Sequence, residues 1–280
     1  MADAADTVPR PLETEGPRGP WDRVRAELSD TGTVVMFGRV PAWRPHADDA
    51  ALLRPLLGRD WPRYESLSQP RMRERFAASR LLVRHAVAAV IDTAAELVDL
   101  AYQPGGRPYV RGCDQIDISL SHTEEMMVVG ITRKGRIGVD VELADRRMAG
   151  TGSESQTCTP YERARLDASD PAARNDLLVR LWTLKEAYSK ALGQGLRFRF
   201  TEFGFALEPR GANGARLVRP DGSRIGGTEW RFATFAVDGG RYVVSTAVYD
   251  AGFGEVADLS VLTALDEGLL DALLGVADGG

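Results

Sequence analysis

The chain has 280 residues, enough for one large domain or two small ones with a real core; 44% are apolar and 27% charged, an ordinary soluble balance. A net charge of -5 argues against a general nucleic-acid binder, although it leaves room for local basic patches. Two cysteines, Cys113 and Cys158, make no disulfide framework, and with the scattered His46, His85 and His122 they form no recognisable zinc site. Any metal is therefore expected to be a hard cation held by carboxylates.

The opening MADAADTVPRPLETEGPRGP is acidic and proline-rich and lacks the basic-then-apolar pattern of a secretory signal, so residues 1–20 are expected to be a disordered lead-in. No apolar run is long enough to cross a membrane, and a cytoplasmic protein is expected. Structure is expected from about Trp21. TVVMFGRV reads as a short buried strand. Residues 71–91 predict a long helix, because Phe76, Leu82, Val83, Ala86, Val87 and Val90 recur at helical spacing. AYQPGGRPYV is a turn around Pro104, Gly105 and Gly106. IDISLSH and MMVVGIT predict strands joined by a polar turn, and GRIGVDVEL predicts another.

RRMAGTGSESQTCT, residues 146–159, is expected to be a loop. TPYERARL then predicts a short helix with Thr159 as N-cap and Pro160 in its first turn. A second long helix follows, capped by Asp170, with Pro171 at its start and Gly193 or Gly195 at its end. FGFAL, EWRFATFAV and RYVVSTAVY predict strands, the last two joined by the hairpin turn DGG. The expected organisation is a 21–135 N-terminal half, a 136–250 C-terminal half and a helical 251–280 extension. Both halves run from a long helix into a hairpin, and both long helices contain LLVR, at 81–84 and 177–180. The fold class is α+β: two similar subdomains, each a long helix against a small, mainly antiparallel sheet.

On the second long helix, 100° per residue gathers Leu177, Leu181, Leu184, Tyr188 and Ala191 on one face and sets Trp182, Glu186, Lys190 and Gly193 opposite. Taken alone, Glu186 and Lys190 are an ordinary surface i,i+4 ion pair. Trp182 on the same face suggests that this face is covered too. In GVDVEL, Val139 and Val141 point one way and Asp140 and Glu142 the other. Such a row is ordinarily a solvated acidic face. Two like charges on one face also suit a Mg²⁺ site, which takes a few carboxylates plus phosphate and water oxygens. Ser119, Ser121 and His122 at a strand end could bind phosphate. Arg107 sits on a glycine-flanked turn, and Arg71, Arg73, Arg75, Arg80 and Arg84 make a basic helix, most of which must be a solvated face.

IGVDVEL followed by LWTLKEAYSKALGQGL resembles the two signature motifs of the Sfp-type 4′-phosphopantetheinyl transferases, G-(I/V)-D-x-E and W-x-x-K-E-x-x-x-K-x-x-G. The matching residues are Gly138, Asp140 and Glu142, then Trp182, Lys185, Glu186, Lys190 and Gly193. SLSH, with Ser121 and His122, resembles the family's Ser-His element. GGRPY resembles G-K-P-Y, with Arg107 where the family usually has lysine. The resemblance implies two similar halves in one chain and a monomer, where shorter holo-acyl-carrier-protein synthases assemble trimers of single halves. It implies transfer of 4′-phosphopantetheine from coenzyme A to a serine of an apo acyl or peptidyl carrier protein, releasing 3′,5′-ADP. It further implies Mg²⁺ on Asp140, Glu142 and Glu186, with Glu186 as general base directly or through a water. Lys190 would stabilise or protonate the leaving phosphate, and Lys185 would contact phosphate or orient the helix. Arg80, Arg107, Ser121 and His122 would bind the nucleotide end, with Arg84 an alternative to Arg80 and the remaining arginines unranked. The alternatives from other classes are an inactive coenzyme A or nucleotide-binding module and a carrier-protein-binding scaffold.

Overall fold

A computed structural model describes residues 8–45, 50–193, 199–208, 213–225, 227 and 229–252. His46, Gly195 and all but the first two residues of the 251–280 extension lie outside the described residues. The N-terminal part runs β1 (Leu12–Thr14), α1 (Trp21–Thr31), β2 (Thr33–Arg39), α2 (Ala50–Leu57), α3 (Trp61–Ser66), α4 (Pro70–Ile91), a small hairpin of β3 (Leu100–Tyr102) and β4 (Pro108–Val110), β5 (Asp117–Thr123) and β6 (Met126–Thr132). The rest runs β7 (Gly135–Leu143), α5 (Ser153–Thr157), α6 (Pro160–Asp167), α7 (Pro171–Leu192), β8 (Gly204–Leu207), β9 (Gly214–Val218), β10 (Trp230–Val237) and β11 (Tyr242–Asp250).

Two larger sheets result, with strand orders β1-β2-β6-β5 and β7-β11-β10-β9-β8. Within them β2-β6-β5 and β7-β11-β10 have one topology. A strand leads to a 22-residue helix, and a later hairpin returns so that its second strand pairs antiparallel with the first. The α+β, two-halved architecture is therefore present. The shared LLVR is not its signature, because it begins at Leu81 in a helix starting at Pro70 but at Leu177 in one starting at Pro171.

Alternation on the strands produces the layering. Met127, Val129 and Ile131 of β6 pack with the apolar face of α4. Leu181, Leu184, Ala187 and Ala191 of α7 pack with Phe205, Phe232, Val243 and Ala247 of the second sheet. The opposite faces of the two sheets close on each other through Val35, Met126 and Val128 against Ile137, Val139 and Val244. Gly130 permits that approach: a Cβ there would lie 2.7 Å from side-chain atoms of both Ile137 and Val139.

Three expectations need correction. Leu12–Thr14, inside the expected lead-in, pairs in parallel with Met36–Gly38 of β2, and the Thr14 hydroxyl donates to Phe37 O at 2.9 Å. The 146–159 stretch contains α5, one short helical turn. Asp170 stands at the N-cap of α7 but its side chain makes no capping hydrogen bond. Gly193, with φ of 69°, closes that helix in the left-handed conformation that glycine adopts freely.

Candidate active site

The junction between the sheets is built from side chains. β5 and β7 are the facing edges, and every second residue of β5 bonds to β7. Asp117 Oδ2 accepts from Ile137 N at 2.7 Å, and Ser119 Oγ accepts from Val139 N at 3.1 Å. Ser121 Oγ donates to Asp140 Oδ1 at 2.8 Å, and Thr123 Oγ1 to Glu142 Oε1 at 3.0 Å. The D-x-S-x-S-x-T alternation of β5 thus supplies partners to an edge whose backbone groups would otherwise be unpaired.

On β7, Val139 and Val141 face the inter-sheet core, which turns Gly138, Asp140 and Glu142 the other way. Gly138 lets α7 lie almost on the strand: an ideal Cβ would sit 2.6 Å from Ala191 N and 2.9 Å from Ala187 C, with Ala187 O nearer still. Glu186 and Lys190 flank those alanines and are thereby delivered to the acidic edge. Lys190 Nζ donates to Asp140 Oδ1 at 2.7 Å, Ser121 Oγ at 2.8 Å and Val139 O at 3.2 Å. Glu142 is paired with Arg146, whose guanidinium lies 5.5 Å from the Trp182 ring centroid. Burial raises the Glu186 carboxyl above its ordinary value, and Asp140 raises it further; Lys190 and Arg146 pull it back. Glu186, Arg146, Met148, Trp182 and Phe200 line an open groove of roughly 690 Å³ that Arg147 and Arg199 make basic.

A second cluster lies toward α4. The His122 imidazole is pushed down to about 4, first by desolvation and then by Arg75, Arg80 and Lys190. The residue is nevertheless exposed, so the surrounding cations are the firmer cause. Arg80 is 15% exposed, its Nε lies 3.5 Å from Asp60 Oδ1, and its guanidinium sits 4.4 Å from the Phe76 ring centroid. Arg84, the alternative to it, is 1% exposed and spends its guanidinium on the Val98 and Leu57 carbonyls. Arg73 donates to Leu67 O, and Arg75 acts electrostatically on His122.

Two expected phosphate contacts are placed elsewhere. Lys185 is 0% exposed, pairs with Glu162 at 2.8 Å and donates to Phe200 O and Phe203 O at 2.6 and 2.7 Å. Its three protons are all used inside the core, which leaves helix positioning, the other role considered for it. Arg107 is 9% exposed and is bound to Asp117, Ile137 O and Lys190 O, so it ties β4, β5, β7 and the end of α7 together. The expected metal ligands also need refinement. Among the described residues no three acidic, histidine or cysteine side chains converge as a ready-made cage. Asp140 and Glu142 still present oxygen donors on one face, and their charge is balanced by Lys190 and Arg146. That donor set fits Mg²⁺, which keeps waters and substrate oxygens in its shell instead of demanding an all-protein cage.

Sequence reasoning missed Glu162, Arg146 and Asp60. Glu162 was legible: TPYE is a capping box, and Thr159 and Glu162 do cap α6 reciprocally. Its Oε1 also accepts from Phe205 N at 2.8 Å. Asp60 carries no sequence signal, since the contact to Arg80 spans twenty positions and the whole of α3.

Comparison with known proteins locates this site in a family. Residues 136–247 match the family model described as the 4′-phosphopantetheinyl transferase superfamily. A phosphopantetheinyl transferase of Thraustochytrium sp. is 30% identical over 237 residues, covering 78% of this chain and 80% of that protein. A 4′-phosphopantetheinyl transferase of Bacillus subtilis is 27% identical over 143 residues, covering 51% of this chain and 61% of its own length. A Synechocystis relative is likewise matched over only 58% of its length, so the chain spans less than two thirds of these last two. Among solved structures, the holo-[acyl-carrier-protein] synthase of Thermotoga maritima gives a TM-score of 0.31 at 22% identity, over 41% of this chain and 62% of that one, too little to add to the fold described above. Both signature segments, β7 and α7, lie inside the matched region, and with the long Thraustochytrium alignment they establish that the chain belongs to the 4′-phosphopantetheinyl transferase superfamily.

Proposed function

We propose that the protein transfers 4′-phosphopantetheine from coenzyme A to a serine of an apo acyl or peptidyl carrier protein and releases 3′,5′-ADP. The observation that carries this reading is the meeting of Asp140, Ser121, Lys190 and Glu186 where β5, β7 and α7 converge, within the segment that matches the family. A carrier serine is a poor nucleophile while protonated. Glu186, a partly buried carboxylate with raised proton affinity, is suited to take that proton as the serine oxygen bonds to the β-phosphorus, directly or through one water. The bond from that phosphorus to the 3′,5′-ADP oxygen breaks, and Lys190 offers an ammonium to the departing phosphate. Asp140 and Glu142, with Glu186 beside them, would hold Mg²⁺, which supplies charge neutralisation on the diphosphate when bound. Lys190 and Arg146 occupy the carboxylates otherwise and prevent uncompensated repulsion between them.

The cluster of Arg75, Arg80 and neutral His122 is the matching receptor for the 3′-phosphate and its nucleotide. An arginine offers paired donors to phosphate, and a neutral imidazole offers one donor and one acceptor. The groove beside Glu186, lined by Trp182 and Phe200 together with Arg146, Arg147 and Arg199, suits an acidic carrier helix that presents its serine to the base. No helix among the described residues is long and apolar enough to cross a membrane. A cytoplasmic monomer acting on soluble carriers is the setting we propose. The test is incubation with coenzyme A, Mg²⁺ and a panel of apo carriers, read by intact mass. Gain of one phosphopantetheine supports transfer. Mg²⁺-dependent coenzyme A binding by calorimetry with no gain on any carrier would instead indicate a binding module.

A further inference from the structure

Asp60 is a carboxylate in the wrong place for an ordinary surface acid. It is 4% exposed, at the end of a short turn just ahead of α3, and one of its oxygens, Oδ2, has no hydrogen-bond partner. A buried carboxylate costs several kcal/mol in desolvation and persists only when its partners restore that loss. Here Oδ1 accepts from the Tyr102 hydroxyl at 2.8 Å and faces Arg80 Nε at 3.5 Å. Tyr102 returns to Arg80 as well, with its ring centroid 5.3 Å from the guanidinium carbon, while Phe76 holds it from another side at 4.4 Å. Arg80 is thus restrained by one charge and two aromatic faces, yet its side chain keeps 15% exposure. Arg84, one turn further on, makes the contrast: it is closed off on backbone carbonyls and has no surface left to offer.

The geometry points to Asp60 and Tyr102 as positioning residues that preset the Arg80 guanidinium to receive the 3′-phosphate of coenzyme A, and so set the preference for coenzyme A over its 3′-dephospho form. This rests on the reading of Arg80 as a nucleotide-end contact. A long arginine side chain loses much rotamer freedom on binding phosphate, and restraining it beforehand removes that loss. Neither Asp60 nor Tyr102 touches the phosphate. Their effect is therefore confined to the binding of the 3′-phosphorylated substrate and absent from the phosphoryl-transfer step.

The experiment compares coenzyme A with 3′-dephospho-coenzyme A as donors to one apo carrier, using the full chain and the variants Asp60→Asn and Tyr102→Phe, each with a thermal melt. The expected result is a wild-type preference for coenzyme A that falls about tenfold in Asp60→Asn through KM alone, with kcat unchanged. Tyr102→Phe, which keeps the ring and removes only the hydroxyl, should lower it about threefold. It also stands in for Asp60→Asn if that variant does not fold. Calorimetric affinity for 3′,5′-ADP should fall by the same factors while that for 5′-AMP stays constant. A purely structural role would weaken both donors equally. Retention of the wild-type preference by folded variants would overturn the positioning role alone. A wild type that uses both donors equally would overturn the Arg80 assignment, and this inference with it.

Discussion

Replacing Gly138 with alanine tests how the site is assembled. The new Cβ would lie 2.6 Å from Ala191 N and 2.9 Å from Ala187 C, with the Ala187 carbonyl oxygen closer still. All three obstacles are backbone of α7, so no rotamer change relieves them. Comfortable contact starts near ~3.5 Å, so the helix must retreat by at least about 1 Å, and by more to clear the Ala187 carbonyl oxygen. Glu186 and Lys190 ride on that helix, and the Lys190–Asp140 and Lys190–Ser121 contacts at 2.7 and 2.8 Å would stretch beyond hydrogen-bond length. Overpacking of this kind costs about 1–3 kcal/mol in stability, and a displacement of about 1 Å at reacting groups costs on the order of 10²-fold in rate. The expected outcome for Gly138→Ala is a folded protein, by circular dichroism, with a lower melting temperature and a kcat for carrier modification reduced about a hundredfold. Its affinity for 3′,5′-ADP should fall far less than kcat, because α4 and β5 carry the 3′-phosphate end and only the Lys190 contact is displaced. A variant with wild-type melting and wild-type kcat would refute the argument that close helix–strand approach builds the site.

Lys185→Met should be far more damaging to stability than to chemistry. It strands Glu162, 0% exposed, without its cation and removes a donor from two backbone carbonyls, at about 3–5 kcal/mol, or on the order of 10 °C in melting temperature for a domain of this size. Adding Glu162→Gln should recover part of that loss, and no recovery would show that the pair is not the origin. His122 should titrate near pH 4 by NMR, and Lys190→Met should raise its midpoint by removing one of three nearby cations. Because the folded value is below the unfolded one near 6.5, protonation favours unfolding, and His122 costs stability progressively as pH falls between about 6.5 and 4. A midpoint at the ordinary histidine value would show that the surrounding charges do not act as described.

Much of the fold was readable because the strongest signals are periodic. The α4 and α7 helices, β5, β6, β7 and the β10–β11 hairpin follow directly from apolar spacing and turn residues. β1 escaped because three residues amid prolines carry no period, and their pairing with β2 is purely tertiary. The acidic edge of β7 and the helix face of Glu186 and Lys190 were legible separately, each with an ordinary surface reading. What joins them is Gly138, whose lack of a side chain reads as a motif position in sequence and as a packing requirement in three dimensions. Charge by itself does not separate the roles open to Lys185 and Arg107. Both occupy positions where a cation suggests phosphate, and both are consumed by buried carbonyls and carboxylates. No local pattern distinguishes a lysine that meets a ligand from one that meets Glu162 across the core.

The most direct test of the account is the intact mass of an apo carrier protein after incubation with coenzyme A, Mg²⁺ and either the wild type or Glu186→Gln. One added phosphopantetheine is expected with the wild type, and a rate lower by about 10²-fold or more with the isosteric variant, which holds no base. No mass gain on fatty-acid, polyketide and peptide carriers alike, or a Glu186→Gln variant as fast as wild type, would contradict it.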